Sequence, residues 1–342
     1  MEKIPVFVGL DYHQDSVQVC VVDGGGKVLG NRTCDNDPRR VVEYVATHGG
    51  VRGAAMESCE GAADFADGLM AVTDWSVDLA HPGYVHRLRQ NPDKLVLERS
   101  EGTDYSDARL LADLERVGYV PKVWLAPQAI RELRRLVRYR RQLVNERRNV
   151  KLRVRALLRT HRRGCAAPRW GVAWFQWMRD VDLPEQSRWI LDRHLDRLEQ
   201  FNCDIQDVER RLDVVTKDDA VVQKLMTLPG VGSVTAWVLR AEVGRFDRFR
   251  SGKQLARFCG LTPWNASSGS RQADAGLIRA CNHDLRSVLI EAGHRLKRCD
   301  PRWSALANQL RQAGKPGSVI AAAVANRWMR WLYHEMTAAQ AA

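Results

Sequence analysis

Four acids stand out by where they fall along the 342-residue chain. Asp11 follows an apolar run at residues 6–10, Glu57 follows a short apolar run at residues 53–56, and Asp104 and Asp107 open a segment of helical periodicity. Acids at such element ends can converge on one point. Carboxylates brought together repel one another, so either their pKa values rise or a cation is bound among them. Oxygen ligands select a hard ion, for which Mg2+ is the natural choice. Two such ions bridged by carboxylates polarise a phosphodiester and stabilise both its attacking and its leaving oxygen, the chemistry of nucleases and strand-transfer enzymes. Each acid taken singly also has an ordinary structural role, because an Asp at a strand end forms turns and Asp104 can cap its helix. Glu60 competes for the second position. Glu57 is preferred because it directly follows the strand, whereas Glu60 precedes the Gly61 that opens the next helix.

Two later motifs carry chemistry of another kind. Gly230-Val231-Gly232 resembles the turn of a helix-hairpin-helix, in which glycines let backbone amides at a helix start approach a phosphate; a plain turn fits the same residues. Residues 265–270, Asn-Ala-Ser-Ser-Gly-Ser, form a small polar loop followed by Arg271, Arg279 and Arg286. On composition alone this loop reads as a linker. A serine there attacks phosphorus only if its deprotonation is assisted and the oxyanion stabilised, which a metal ion and arginines can do together. His283 reads as a surface residue at a helix start.

The elements that must position these residues follow from periodicity. Residues 6–10, the alternating Val17, Val19 and Val21, an Asp23-Gly24-Gly25-Gly26 turn and residues 27–29 predict a β-meander. A helix over 38–47, a strand over 53–56, a helix over 62–72 and a strand over 77–80 ending before His81-Pro82-Gly83 then predict an α/β domain with a mixed sheet. Asp104, Asp107, Leu111 and Leu114 recur at i, i+3, i+7 and i+10, which puts both acids on the apolar face that turns toward the sheet.

From 128 to 163, Leu136, Leu143, Val150 and Leu157 repeat every seven residues, with Leu133, Val137, Val144, Val154 and Leu158 beside them. Leu198, Phe201, Ile205, Val208, Leu212 and Val215 form a second such seam. The two predict a long antiparallel coiled coil joined through a stretch containing Trp170, Trp174, Trp177 and Trp189. The last third predicts a compact, mostly helical domain ending in a helix with Trp328 and Trp331. The expected domains are 1–122, 123–221 and 222–342.

The net charge is +12, but it is unevenly placed: residues 1–120 hold 12 Lys/Arg against 20 Asp/Glu, and the remainder 41 against 21. Between 131 and 163 stand fourteen Lys/Arg and only Glu132 and Glu146. That density exceeds what a solvated helix face needs and points to phosphate contact. Eight scattered cysteines without a CxxC pair indicate reduced thiols rather than a zinc site or disulfide framework. With no signal-like apolar run and no stretch of roughly 18 apolar residues, the expectation is a soluble cytoplasmic bacterial protein, nucleoid-associated when active, with no membrane partner.

Together these residues resemble the insertion-sequence transposases that carry an Asp-Glu-Asp-Asp set and a C-terminal serine, the group that includes Piv-type invertases and bridge-RNA-guided recombinases. The resemblance runs through Val8-Gly9-Leu10-Asp11, Ala55-Met56-Glu57-Ser58 with Gly61, and Thr103-Asp104-Tyr105-Ser106-Asp107-Ala108. It continues through Leu228-Pro229-Gly230-Val231-Gly232, residues 255–263, Ser267-Ser268-Gly269, Gly276 and Leu285-Arg286. Gly102 and Cys281 depart from it, standing where the family commonly has Lys and Gly.

The resemblance implies an RNase-H/RuvC-like N-terminal domain with Asp11, Glu57, Asp104 and Asp107 as metal ligands. It also implies a nucleophilic serine, Ser268 with Ser267 as the alternative, that becomes linked to a DNA phosphate at a composite site. Donor and target double-stranded DNA, a guide RNA and a homodimer or homotetramer are the implied partners. Two rival readings remain at this point: a RuvC-class junction nuclease that uses the acids without the serine, and a non-catalytic nucleic-acid-binding scaffold.

Overall fold

The computed structural model describes residues 4–89, 104–167, 169–265 and 274–338. The chain divides into two compact units, residues 1–128 and 129–342.

The first unit opens on β1 (Pro5–Tyr12), β2 (Ser16–Asp23) and β3 (Val28–Asp35), paired antiparallel as the predicted meander. α1 (Pro38–Ala46) starts at Asp37, whose carboxylate accepts from the Arg39 backbone N–H at 2.9 Å, with Pro38 in the first turn, where its missing N–H costs nothing. β4 (Gly50–Glu57), α2 (Ala62–Val72) and β5 (Val77–Ala80) follow, with β4 parallel to both β1 and β5. His81-Pro82-Gly83 leads into α3 (Pro82–Arg89), since proline is well suited to a helix start. α4 (Asp104–Arg116) and the two-residue β6 (Lys122–Val123), antiparallel to β5, complete a mixed six-stranded sheet in the order β3-β2-β1-β4-β5-β6.

The central strands are covered on both faces, which explains their near-continuous apolar runs. Val6, Val8, Leu10, Ala54 and Met56 pack in one cluster with Val41 and Val45 of α1 and Phe65 and Leu69 of α2. The other face receives α4, with Leu110, Leu111 and Leu114 clustered on Ala55. Here Gly9 has a specific role: a Cβ at this position would lie 1.9 Å from the Ala108 carbonyl oxygen and 2.4 Å from the Ala112 nitrogen. Only a residue without a side chain lets α4 lie directly on β1.

Near the C-terminal end of α4, Glu115 stands half-buried by Asp78, which is itself paired with Lys122. Burial first, and then the Asp78 carboxylate, pushes the Glu115 carboxyl up to about 7 against the opposing pull of Lys122. As pH rises the unfolded chain releases this proton first, so the group's contribution to stability is fully present below pH 4.5 and is lost between 4.5 and about 7. Glu115→Gln is expected to remove that loss. In urea unfolding, the midpoint of the variant should gain on the wild type from pH 4.5 to 7 and keep a constant lead above it; a pH-independent difference would contradict this.

The second unit begins with α5 (Gln128–Thr160), followed by α6 (Val172–Asp180) and α7 (Glu185–Thr216). Side-chain pairs fix the relative direction of the long helices. Arg140 reaches Glu209 at 2.6 Å, Arg147 reaches Asn202 at 2.8 Å, and His161 meets Ser187 at 2.8 Å. As one helix advances the other recedes, so α5 and α7 run antiparallel. The buried seam of α5 is Leu133, Val137, Leu143, Val150, Val154 and Leu158, while Leu136 and Leu157 sit half-buried beside it. α6 packs Trp174 and Met178 against Val154, Leu158, Leu191 and Leu195.

The rest of the unit comprises α8 (Ala220–Met226), α9 (Ser233–Val243), α10 (Gly252–Phe258), the antiparallel pair β7 (Pro263–Asn265) and β8 (Asp274–Leu277), α11 (His283–Cys299), α12 (Pro301–Gln312) and α13 (Gly317–Ala338). Its core holds Trp237, Phe246, Trp303 and Trp328. Buried Glu242 on α9 ties in the start of α5 through Arg138 at 3.0 Å and Arg134 at 3.6 Å. Among the described residues, no helix is long and apolar enough to cross a membrane.

Candidate active site

Strand alternation decides which way the acids face. Gly9 contacts α4, so Asp11, two residues on, projects from the same side of β1. Ala55 also packs under α4, so Glu57, two residues along β4, does likewise. The parallel register pairs Gly9 with Ala55 and Leu10 with Met56; the next residues along the two strands are Asp11 and Glu57. α4 begins at Asp104, with Asp107 one turn further along. Its first turn is tied down from the sheet by Asn31, whose side-chain amide donates to the Tyr105 carbonyl at 3.0 Å.

One residue links strand and helix that the sequence reading passed over. His13 Nε2 lies 3.3 Å from Asp11 Oδ2 and 3.4 Å from Asp104 Oδ2. The available signal was its spacing: two residues past Asp11, it stays on the same side of the chain. The turn that carries it is held by the Asn36 amide, which reaches the carbonyls of His13 at 3.1 Å and Gln14 at 2.8 Å. Asp11 is largely covered, with 13% of its side chain exposed, while Asp104 is 64% exposed, so the cluster opens to solvent on the helix side. Glu57 and Asp107 are half-buried and Glu60 is exposed. The Cys59 thiol is pushed up by partial burial and then by the carboxylates of Glu57 and Asp11, so both acids act on one sulfur.

These residues fit a divalent cation. Among the described residues, Asp11, His13 and Asp104 offer ligand atoms that all lie within 4.8 Å of one another. An octahedral ion with bonds of about 2.1 Å places neighbouring ligands about 3 Å and opposite ligands a little over 4 Å apart. Glu57, on the strand beside Asp11, and Asp107, one turn along α4, are half-buried and fall outside this group of close ligand atoms.

Ser267 and Ser268 lie outside the described residues, between β7 and β8 in sequence. The Gly230-Val231-Gly232 turn joins α8 to α9. Gly230 has φ +76°, and Gly232 precedes α9 without a side-chain cap. Together with Arg141, Ser233 and Arg295, these glycines line an open cleft of about 890 Å³.

Comparison with known proteins agrees with this layout. Residues 8–162 match a transposase family of the IS110 group named for its Asp-Glu-Asp-Asp set, and residues 222–308 match the family described as "Transposase IS116/IS110/IS902 family". The chain carries transposase domains of the IS110/IS116/IS902 family. It is therefore an enzyme of DNA strand cleavage and transfer, which sets aside the scaffold reading. It is 28% identical over 291 residues to a probable family 20 transposase of Pseudomonas aeruginosa, covering 82% of each chain. It is 27% identical to the transposase for insertion sequence element IS1111A of Coxiella burnetii, over 85% of this chain and 78% of that one. A transposase for element IS1328 of Yersinia enterocolitica is 26% identical over 81% of each. Membership in this family brings an expectation of DNA binding and divalent-metal use to the acids of the first unit.

Proposed function

We propose that this transposase recombines its own insertion element by strand exchange through a covalent phosphoserine. Asp11, Glu57, Asp104 and Asp107 act as the metal ligands and Ser268 as the nucleophile. The observation that carries the metal part is the meeting of Asp11 and Asp104 across His13, with Glu57 on the same face of the neighbouring strand.

Mg2+ held by these acids would supply Lewis-acid neutralisation of charge at the phosphodiester. The protein's own part is to fix the carboxylates before DNA arrives: Gly9 sets α4 on β1, and Asn31 and Asn36 anchor the two backbone segments that bear Asp104 and His13. In the serine step, the Ser268 Oγ–P bond forms as one P–O ester bond to deoxyribose breaks; the proton lost by the serine hydroxyl balances the one taken up by the departing deoxyribose oxygen, which leaves as a free hydroxyl. Attack by the hydroxyl of another strand reverses these events, restoring a phosphodiester and freeing the serine. Phosphodiester energy is conserved throughout, so rejoining needs no ATP.

α5 and α7 are proposed to form a coiled-coil arm, residues 123–221, between the RuvC-like domain at 1–122 and the C-terminal domain at 222–342. Arg148, Arg153, Arg155, Arg159 and Arg162 on this arm make no ion pair among the described residues, which leaves them available for phosphates of a guide RNA or of DNA. The glycine turn before α9 is proposed as a helix-hairpin-helix-like phosphate contact. Two duplexes must be aligned for exchange, which calls for a homodimer or homotetramer.

The test is Ser268→Ala assayed on element-end DNA with a divalent ion and transcripts of the flanking regions. Retained DNA binding with strand exchange lost by on the order of 10³-fold or more is expected. Free-ended cuts that persist in the variant would instead favour a RuvC-class metal nuclease, and a rate indifferent to the transcripts would remove the guide.

A further inference from the structure

We infer that His13 is a nitrogen ligand to the ion bound at Asp11 and Asp104, and that it tilts this site toward Mn2+ over Mg2+. The inference rests on the metal reading of the acids and adds to it a residue outside the Asp-Glu-Asp-Asp set.

The geometry is that of a shared ligand sphere. His13 Nε2 is almost equidistant from one carboxylate oxygen of Asp11, at 3.3 Å, and one of Asp104, at 3.4 Å. Those separations are slightly above the roughly 3 Å edge expected between neighbouring ligands of an octahedral ion. All three ligand atoms fall within 4.8 Å, which also admits the two carboxylates as opposite ligands. The turn that carries His13 is closed by the His13 N–H to the Ser16 carbonyl at 2.9 Å, and Asn36 holds the His13 and Gln14 carbonyls, so the backbone bearing the imidazole is fixed. His13 is 47% exposed, so no apolar core requires it.

A neutral imidazole brings a borderline-soft donor into an otherwise all-oxygen site. Mg2+ dehydrates reluctantly and favours oxygen, whereas first-row transition ions accept imidazole readily, so a nitrogen ligand raises affinity for Mn2+ far more than for Mg2+. The same residue sits between strand and helix, where an ion bonded to it would draw the exposed Asp104 toward the covered Asp11.

The experiment loads the full-length protein with Mn2+ and measures electron spin-echo modulation from directly bonded ¹⁴N, alongside Mn2+ and Mg2+ affinities, for wild type, His13→Ala and Asp11→Asn. Melting curves check that each variant is folded. The inference expects ¹⁴N coupling in the wild type that vanishes in His13→Ala. It also expects a Mn2+ affinity reduced about tenfold or more with Mg2+ affinity changed by less than about threefold. Mn2+ binding that depends on Asp11 but shows no nitrogen coupling, or coupling that survives in His13→Ala, would overturn the role of His13 and leave the acid site standing. Mn2+ binding that is absent, or indifferent to Asp11, would overturn both.

Discussion

Asp11→Asn is expected to abolish measurable strand cleavage while leaving a folded protein. The expected loss is on the order of 10³-fold, about 4 kcal/mol of transition-state stabilisation, because the change removes the charge of a proposed metal ligand, the more covered of the two acids that meet at His13. Asp11 lies near the end of β1 with part of its side chain exposed, and no apolar cluster depends on its charge. A substitution of that kind costs roughly 0.5 kcal/mol or less, so the melting midpoint should stay within about 2–3 °C of wild type. DNA binding at low salt should persist as well, since the cations proposed to meet phosphate lie elsewhere in the chain. A variant that cleaves at more than a tenth of the wild-type rate would take Asp11 out of the metal site. A variant that loses activity only because it melts would show Asp11 to be structural.

Gly9→Ala is the second large effect, and it acts through α4 rather than through any acid. The added Cβ would fall 1.9 Å from the Ala108 oxygen and 2.4 Å from the Ala112 nitrogen, and both are backbone atoms that no rotamer change can move aside. The helix must therefore shift as a body. The expected cost is about 3 kcal/mol from overpacking, on the order of 10 °C in the melting midpoint of this unit. Displacing Asp104 and Asp107 by even about 1 Å should lower cleavage by on the order of 10²-fold at temperatures where the variant remains folded. Gly24→Ala serves as the control, because Gly24 is exposed in the β2–β3 turn and a Cβ there meets nothing within 4 Å. Equal behaviour of the two variants would mean that α4 does not bear on β1 as described.

Much of this arrangement was legible in the residues because each element signals itself locally. Val17, Val19 and Val21 alternate, Asp104 and Asp107 share a stripe with Leu111 and Leu114, and the helix over 62–72 and the strand over 77–80 emerge with those bounds. What periodicity cannot carry is which strands become neighbours. That β1 lies between β2 and β4, setting Asp11 beside Glu57, comes from a parallel crossover that pairs Gly9 with Ala55 and Leu10 with Met56, residues far apart in the chain. His13 was missed for the same reason: a lone histidine after a strand looks like surface until the start of α4 is brought over it. Gly9 was legible only as part of a motif, because its function is the absence of a side chain facing a helix a hundred residues later. The repeat in α5 was read as Leu136, Leu143, Val150 and Leu157 with Val137 and Leu158 beside them; Val137 and Leu158 are the buried residues, and Leu136 and Leu157 are half-buried. A heptad written over apolar residues leaves the facing register open by one position, and only the partner helix fixes it.

Ser268 is where sequence resemblance carries the account furthest. The most direct measurement is therefore the chemistry of the trapped intermediate. Wild-type protein is incubated with element-end DNA, flanking transcripts and a divalent ion, quenched under denaturing conditions, digested, and the DNA-linked peptide sequenced by mass spectrometry. A deoxynucleotide phosphate on Ser268 is expected, formed by wild type and absent from Asp11→Asn. Cleaved DNA with free ends and no nucleotide on any serine would contradict it, leaving a metal-dependent nuclease in place of a serine recombinase.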